Sequence, residues 1–303
     1  MDGLLQSITY MLTSETIDSP NLAVTTWTSA SSTERRRELA CELLSQMPAM
    51  RSIYFRVVEA LNDPNTALEK VGKLVASDPV MTAKVLQLAN SAEVGLRRRL
   101  VSAEEAVFML GGEQVKNIIV FVETFSMCQR FALRGFSPER LWRHSTKVAG
   151  LARAVMATQT RERTTRDAAY TAGLLHDLGK LLFVANASDR YGKVLARVQP
   201  AHSDSLILRE EEEFELSHAD VGAVALESLR IPVDLVDAVG GHHQAQWLGQ
   251  SKFTSLDAVV VANTLVHEKQ QQTTGLHQDN PIRKRCEELW GEELFQRWLT
   301  ELV

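Results

Sequence analysis

Apolar residues recur at spacings of three and four over most of this chain, the period of a helix with one buried face. Leu68, Val71, Leu74 and Val75 predict a helix that ends before Ser77. Asp78 and Pro79 then restart the chain, since proline is tolerated in a first turn. Met81, Val85 and Leu88 make the next stripe. Val115, Ile118, Val122 and Phe125 put one face of a further helix inward, after the glycine pair at 111–112. No run between Pro48 and Arg134 alternates with strand composition, so the pattern predicts an all-α fold.

A second helical region opens at "RGFSPERLWRHS", with Ser137 as the predicted N-cap and Pro138 in the first turn. Leu141, His144, Val148, Leu151 and Val155 share one face, which points His144 inward. "TAGLLHDLGK" reads as a helix carrying Leu174, Leu175, His176 and Asp177 and closed by glycine and lysine, and a polar stretch around 185–204 reads as a connector. His218, Val221, Ala225 and Leu229 form another inward stripe. Gly240 and Gly241 are expected to break a helix just before His242 and His243, and Leu256, Val259, Asn263 and Val266 line the helix that follows. Upstream, "SPNLAVTTWTSASST" resembles a linker, and "ERRRELACELL" a helix whose Arg35, Arg36 and Arg37 form a solvated face. No repeat of fixed period is present.

The bulk composition narrows the class without naming a function. A chain of 303 residues suits two domains or one large helical unit. Its 45% hydrophobic and 23% charged residues are those of a globular protein. A formal net charge of −5 argues against a general nucleic-acid binder, and the "LRRRL" run at 96–100 reads as a solvated turn. Cys41, Cys128 and Cys286 are odd in number and far apart, which fits no disulfide framework and favours a reducing cytoplasm. "MDGLLQSITYML" lacks a basic signal-peptide start, and no run reaches the roughly 18 apolar residues of a membrane span.

Histidine carries the candidate chemistry. Imidazole nitrogens and carboxylate oxygens are the usual ligands of Fe, Mn, Zn or Ni, and helical bundles build such sites from facing helices. His144, His176, Asp177, His218, His242 and His243 fall at inward or helix-end positions within one region. A carboxylate beside a histidine is suited to bridging two ions, and Lys180, one turn on, to neutralising charge or holding an anion. Taken singly, His144 fits a hydrogen-bonded core residue, His218 a helix cap beside Ser217, and His242 and His243 surface residues. His202, His267 and His277 lie outside the pattern and read as background.

"LLHDLGK", with "RHS" upstream and "SHADVG" downstream, resembles the HD superfamily of metal-dependent phosphohydrolases. The fuller resemblance is to the HDOD domain, a bacterial signalling module related to HD-GYP phosphodiesterases. "MPAM", "LNDPNTALEKVGKLVASDPVMTAKVLQLANSAEVG" and "SAEEAVFMLGGEQVKNII" are similar to its first lobe, and "LWRHS", "AGLLHDLGKLL" and "IPVDLVDAVGGHH" to its second. The resemblance spans about residues 47–268 and implies an all-α, two-lobed domain. It divides the chain into an extension and linker at 1–46, a helical lobe at 47–134, an HD-like helical lobe at 135–268 and a helical extension at 269–303.

By similarity to HD-GYP enzymes, His144, the doublet His176 and Asp177, His218, and the pair His242 and His243 are the implied metal ligands, with Lys180 the lysine of the motif. If the chain is an enzyme, Asp177 and Lys180 are its implied catalytic groups. Three features depart from that pattern. Arg140 stands where a glutamate is expected one turn before the first histidine, Asn263 stands in place of the late aspartate, and "HHQAQW" holds no GYP segment. A neutral Asn263 and a cationic Arg140 weaken the anionic set that activates water at a metal. The resemblance and these losses together imply a signal-transduction output module acting on a signalling protein partner. The alternative is a metal-dependent phosphohydrolase acting on cyclic di-GMP or another nucleotide. The expected location is cytoplasmic, with no membrane partner, and nucleic acid is not the expected ligand.

Overall fold

A computed structural model describes residues 31–45, 52–63, 65–91, 94, 98–128, 131, 133–198, 205–229, 231–250, 252–274 and 281–301. A first group of helices comprises α1 (Ser31–Ser45), α2 (Ser52–Asn62), α3 (Leu68–Ala76), α4 (Pro79–Ala89), α5 (Ala103–Leu110) and α6 (Gly112–Cys128). A second comprises α7 (Pro138–Gln159), α8 (Arg163–Leu175), α9 (Leu178–Arg197), α10 (Ser205–Phe214), α11 (His218–Ser228), α12 (Val233–Gly241) and α13 (Ser255–Thr274). The helices α14 (Pro281–Trp290) and α15 (Glu292–Glu301) follow. No strand occurs among the described residues, so the all-α reading holds. No helix among them is long and apolar enough to cross a membrane.

The predicted caps form. The Asp78 carboxylate accepts from the Met81 amide at 2.8 Å, and Ser137 Oγ from the Arg140 amide at 3.3 Å. Each satisfies an amide that the first turn of its helix leaves without a partner.

Helix α6 departs from its one-faced pattern, because every residue from Gln114 to Phe125 is buried. It joins the two groups of helices, with α2 and α4 packed on one side and α8 and α9 on the other. Trp142 on α7 rests between Phe121 and Phe125 at centroid distances of 5.0 and 4.8 Å. The ammonium of Lys84 on α4 lies 4.3 Å from the Trp142 ring and completes the junction.

Three further expectations change. The stretch expected to connect helices at 185–204 is helical to Arg197, with a kink at Ala187 and with Tyr191 and Val194 buried; residues 199–204 lie outside the described set. Helix α12 ends directly before His242, as expected, but it runs through Gly240 and Gly241 rather than breaking at them. A β-carbon on Gly241 would lie 2.6 Å from the Trp247 ring, so this glycine serves close packing. The arginines of α1 also divide. Arg35 is solvated, whereas Arg36 pairs with Asp220 at 2.8 Å and Glu211 at 2.9 Å, and Arg37 pairs with Glu227 at 3.1 Å. These pairs fasten α1 to α11 and to the end of α10. Most of the predicted linker before α1 lies outside the described residues.

Candidate metal centre

The His176–Asp177 doublet sits in the two-residue break between α8 and α9, not inside a helix. Helix ends leave carbonyls without amide partners, and the ring of His176 takes one of them: its Nδ1–H donates to Gly173 O at 2.7 Å. His242 repeats the device at the end of α12, donating from Nδ1 to Val239 O at 2.6 Å. A carbonyl only accepts, so both rings carry the proton on Nδ1 and turn a bare Nε2 inward. At the start of α11, Ser217 and Asp220 form a capping box, so His218 is not the cap. Its Nδ1 instead faces Glu210 Oε2 at 2.7 Å, and its backbone amide donates to the same oxygen at 2.9 Å. Tyr191 donates to the other Glu210 oxygen at 2.8 Å.

Small residues let these elements meet. A β-carbon on Gly173 would lie 2.8 Å from the Ala149 Cα, so α7 and α8 cross closely there and His144 reaches His176. A β-carbon on Gly179 would lie 1.8 Å from the His218 carbonyl oxygen, which fixes the approach of α9 to α11.

The result is two half-sites sharing Asp177. On its Oδ2 side lie His176 Nε2 at 3.5 Å, His144 Nε2 at 3.7 Å and the Lys180 ammonium at 2.7 Å. On its Oδ1 side lie His218 Nε2 at 3.3 Å and His242 Nε2 at 3.7 Å. His243 Nε2 stands 3.0 Å from His218 Nε2, and His144 Nε2 stands 3.3 Å from His176 Nε2. Two nitrogens about 2.1 Å from one ion, at tetrahedral or octahedral angles, are roughly 3.0–3.4 Å apart. Those pairs therefore have the separations of ligands to a common ion. Within each cluster, the donor atoms of Asp177, His218, His242 and His243, and those of His144, His176 and Asp177, lie within 4.8 Å of one another. The buried Nε2 of His242 has no hydrogen-bond partner, an orphan that a metal would satisfy. The cluster is able to hold a metal.

Its electrostatics favour donors over acids. Burial pushes His176 and His243 well below the usual imidazole range and His144 down to about 4, and it lowers His242 and His267. Burial opposes charge on Asp177 as well, but His176, Lys180 and the hydrogen bond from His218 outweigh it and hold the carboxyl well below the usual range. His218 moves upward despite its burial, because Glu210 lies against it. Apart from His218, the centre thus offers neutral rings around one ionised carboxylate.

All seven predicted residues converge: His144, His176, Asp177, Lys180, His218, His242 and His243. Sequence reasoning missed others. His267, read as background, has its ring centroid 5.4 Å from that of His144. It is four residues after Asn263 on α13, the spacing of one helix face, and that was the available signal. Glu210 is fully buried inside a run of four glutamates. Its spacing of four from Leu206 and from Phe214 marks it as the inward one. The buried Oδ1 of Asn263 has no hydrogen-bond partner. Arg140 is an exposed cation on the wall of a cleft of about 470 Å³, which opens onto His144, Asp177 and Lys180.

Comparison with known proteins sets this geometry in a family. An uncharacterized protein of Treponema pallidum (strain Nichols) is 22% identical over 225 residues, covering 74% of this chain and 42% of that protein. This chain therefore spans less than half the length of that relative. Among solved structures, an HDOD domain protein of unknown function from Geobacter sulfurreducens superposes with a TM-score of 0.58 at 23% identity, covering 89% of this chain and 99% of that one. A Shewanella amazonensis SB2B protein, named provisionally as a metal-dependent phosphohydrolase, gives 0.58 at 18% identity over 88% and 97%. A Marinobacter aquaeolei VT8 protein, named provisionally as a signal transduction protein, gives 0.63 at 18% identity over 91% and 64%. These likenesses establish a shared all-α fold. The sequence profile of the HDOD domain matches residues 47–245, most of the chain, and the chain belongs to the HDOD domain family.

Proposed function

We propose that the chain is a signal-transduction output module whose histidine–aspartate centre holds a divalent metal and whose conformation is read by a protein partner. The observation that carries this reading is the donor set. His144, His176, His218, His242 and His243 surround Asp177, which is the single carboxylate in either cluster among the described residues. Imidazole nitrogens suit Fe, Mn, Zn and Ni, so the set would hold such an ion with Asp177 between the half-sites. When bound, the ion supplies positive charge that can polarise a phosphoryl oxygen.

The same set argues against efficient hydrolysis. Arg140 lies at the mouth of the cleft with positive charge, Asn263 is neutral, and Lys180 already occupies Asp177 Oδ2. Asp177, held ionised well below the usual range, and the imidazoles lowered by burial are weak bases for taking up a proton during turnover. The signalling name of the Marinobacter protein supports this reading.

A metal-dependent phosphohydrolase acting on a cyclic dinucleotide or another nucleotide is the second reading. It is favoured by the cleft that lets a solvent-borne ligand reach Asp177 and His144, and by the name of the Shewanella protein. Elemental analysis of protein purified without chelators, beside a cyclic di-GMP hydrolysis assay with added manganese or iron, separates the two. Bound metal without turnover is expected. Turnover that disappears in His176→Ala would establish the hydrolase instead.

A further inference from the structure

A second cavity, of about 450 Å³, lies where the turn between α5 and α6 meets α8 and the start of α12. It stands apart from the metal centre. Helices α8 and α12 run from its walls and end at His176 and His242, so Thr171 and Asp234 are separated from those rings by about 7.5 and 12 Å of helix rise. The inner wall carries neutral polar groups. Asn117 on α6 and Thr171 on α8 are 4% and 3% exposed, and Gln114 beside them is buried as well. The Oδ1 of Asn117 has no hydrogen-bond partner among the described residues. A buried amide oxygen is costly to leave unpaired, so it marks a place where a donor belongs.

The charged groups narrow the ligand. Glu113 in the first turn of α6 and Asp234 in the first turn of α12 are exposed, belong to different walls, and have no basic partner among the described residues. Asp167, the third carboxylate of the lining, is already held by Arg153 at 2.9 Å and Arg163 at 3.2 Å. Among the described residues no lysine, arginine or histidine lines the cavity. Glu113 and Asp234 offset the positive ends of their own helices, which removes the usual attraction of a helix start for anions. An anion would meet negative charge here, and a cation relieves it. Leu110, Ala168 and Leu235 add apolar surface that a bare metal ion does not use, and a volume of this size takes a small organic molecule.

We propose that this cavity binds a small organic cation with N–H donors, an amine or guanidinium compound, which donates to the Asn117 amide oxygen and sets its positive charge against Glu113 and Asp234. The site goes beyond the signalling reading and does not depend on a metal at Asp177. Its walls come from both groups of helices, Asn117 and Glu113 from the first and Thr171 and Asp234 from the second, so a bound cation ties the two groups together.

Calorimetric titration of the chelator-treated full chain, at fixed moderate salt, tests it with putrescine, tetramethylammonium, 1,4-butanediol and succinate. Tetramethylammonium has charge without donors, butanediol has donors without charge, and succinate has the opposite charge. Putrescine is expected to bind at least tenfold more tightly than each of them. The double substitution Glu113→Gln, Asp234→Asn is expected to weaken putrescine at least tenfold while leaving the melting temperature nearly unchanged, because both side chains are exposed. Asn117→Leu, shown to be folded by circular dichroism, is expected to weaken it as much; if that variant does not fold, the exposed double variant decides. Putrescine binding no tighter than tetramethylammonium or butanediol, tighter binding of succinate, or putrescine binding unaltered in the double variant would overturn the proposal. Because the protein is stripped of metal, any of these failures leaves the reading of the histidine–aspartate centre untouched.

Discussion

Gly179 and His218 pass so closely that a β-carbon on the glycine would lie 1.8 Å from the histidine's carbonyl oxygen. That contact is with backbone, which cannot swing aside as a long side chain can. The glycine two residues after Asp177 therefore sets how near α9 comes to α11, and so how near Asp177 comes to His218. Gly179→Ala is expected to push the helices apart, cost roughly 1–3 kcal/mol as overpacking does, and abolish metal binding at the His218 half-site. Urea denaturation with a parallel metal titration checks both effects.

Glu210 accepts from the His218 ring, the His218 amide and the Tyr191 hydroxyl while fully buried. Glu210→Gln keeps the shape but replaces one accepting oxygen with a donor that meets Tyr191 or His218 as a like group. A loss of about 1–3 kcal/mol is expected from the unsatisfied buried group, with metal affinity reduced about 10–100-fold. Metal titration followed by thermal melting measures the two separately, and an affinity unchanged from wild type would refute the orienting role.

Lys180 competes with any ion for Asp177 Oδ2. Lys180→Met removes the competitor and leaves a buried carboxylate without its ammonium. The metal-free variant is expected to be less stable by roughly 1–3 kcal/mol. The gain in melting temperature on adding metal is expected to exceed that of wild type. A smaller gain would show that the lysine assists the ion rather than opposing it.

Acid should destabilise the chelator-treated protein. His144 is held down to about 4 by burial, with His176, His242 and His243 also lowered, while an unfolded histidine titrates near 6.5. Between those values the unfolded chain binds more protons, so stability is full above about pH 6.5 and declines as pH falls. Each such histidine contributes about 1.4 kcal/mol per pH unit in that window. His218, shifted upward, opposes the trend but is outnumbered. Melting temperatures from pH 7.5 to 5 test the sign, and a flat profile would contradict it.

Arg36 fastens α1 to α11 through Asp220, whose carboxylate also accepts from Ser217. Arg36→Ala is expected to cost roughly 1–2 kcal/mol, since the pairs are part-exposed. Urea denaturation of the variant beside wild type checks this, and equal midpoints would show α1 to be a passive appendage.

Much of the centre was legible because its ligands lie on inward faces or directly after helices, where periodicity marks them. His144 followed from its place between Leu141 and Val148, and the His176–Asp177 doublet from its apolar setting. What stayed hidden depends on helix crossings. Nothing local tells that α13 turns His267 toward His144, or that one glutamate of four faces His218, although a spacing of four hinted at both. Glycine was misread in the same way: Gly240 and Gly241 look like breakers from their neighbours alone, while Gly241 is where Trp247 packs. Arg36 looked solvated because its partners lie more than 170 residues further along the chain.

Asp177 as the shared pivot of two imidazole clusters is tested most directly by counting divalent metal on the purified full chain and on Asp177→Ala, with circular dichroism to show that both are folded. At least one equivalent of transition metal on wild type, and its loss from a folded Asp177→Ala, is the expected result. A folded wild-type protein that takes up no metal on titration, or a variant that retains the full complement, would contradict it.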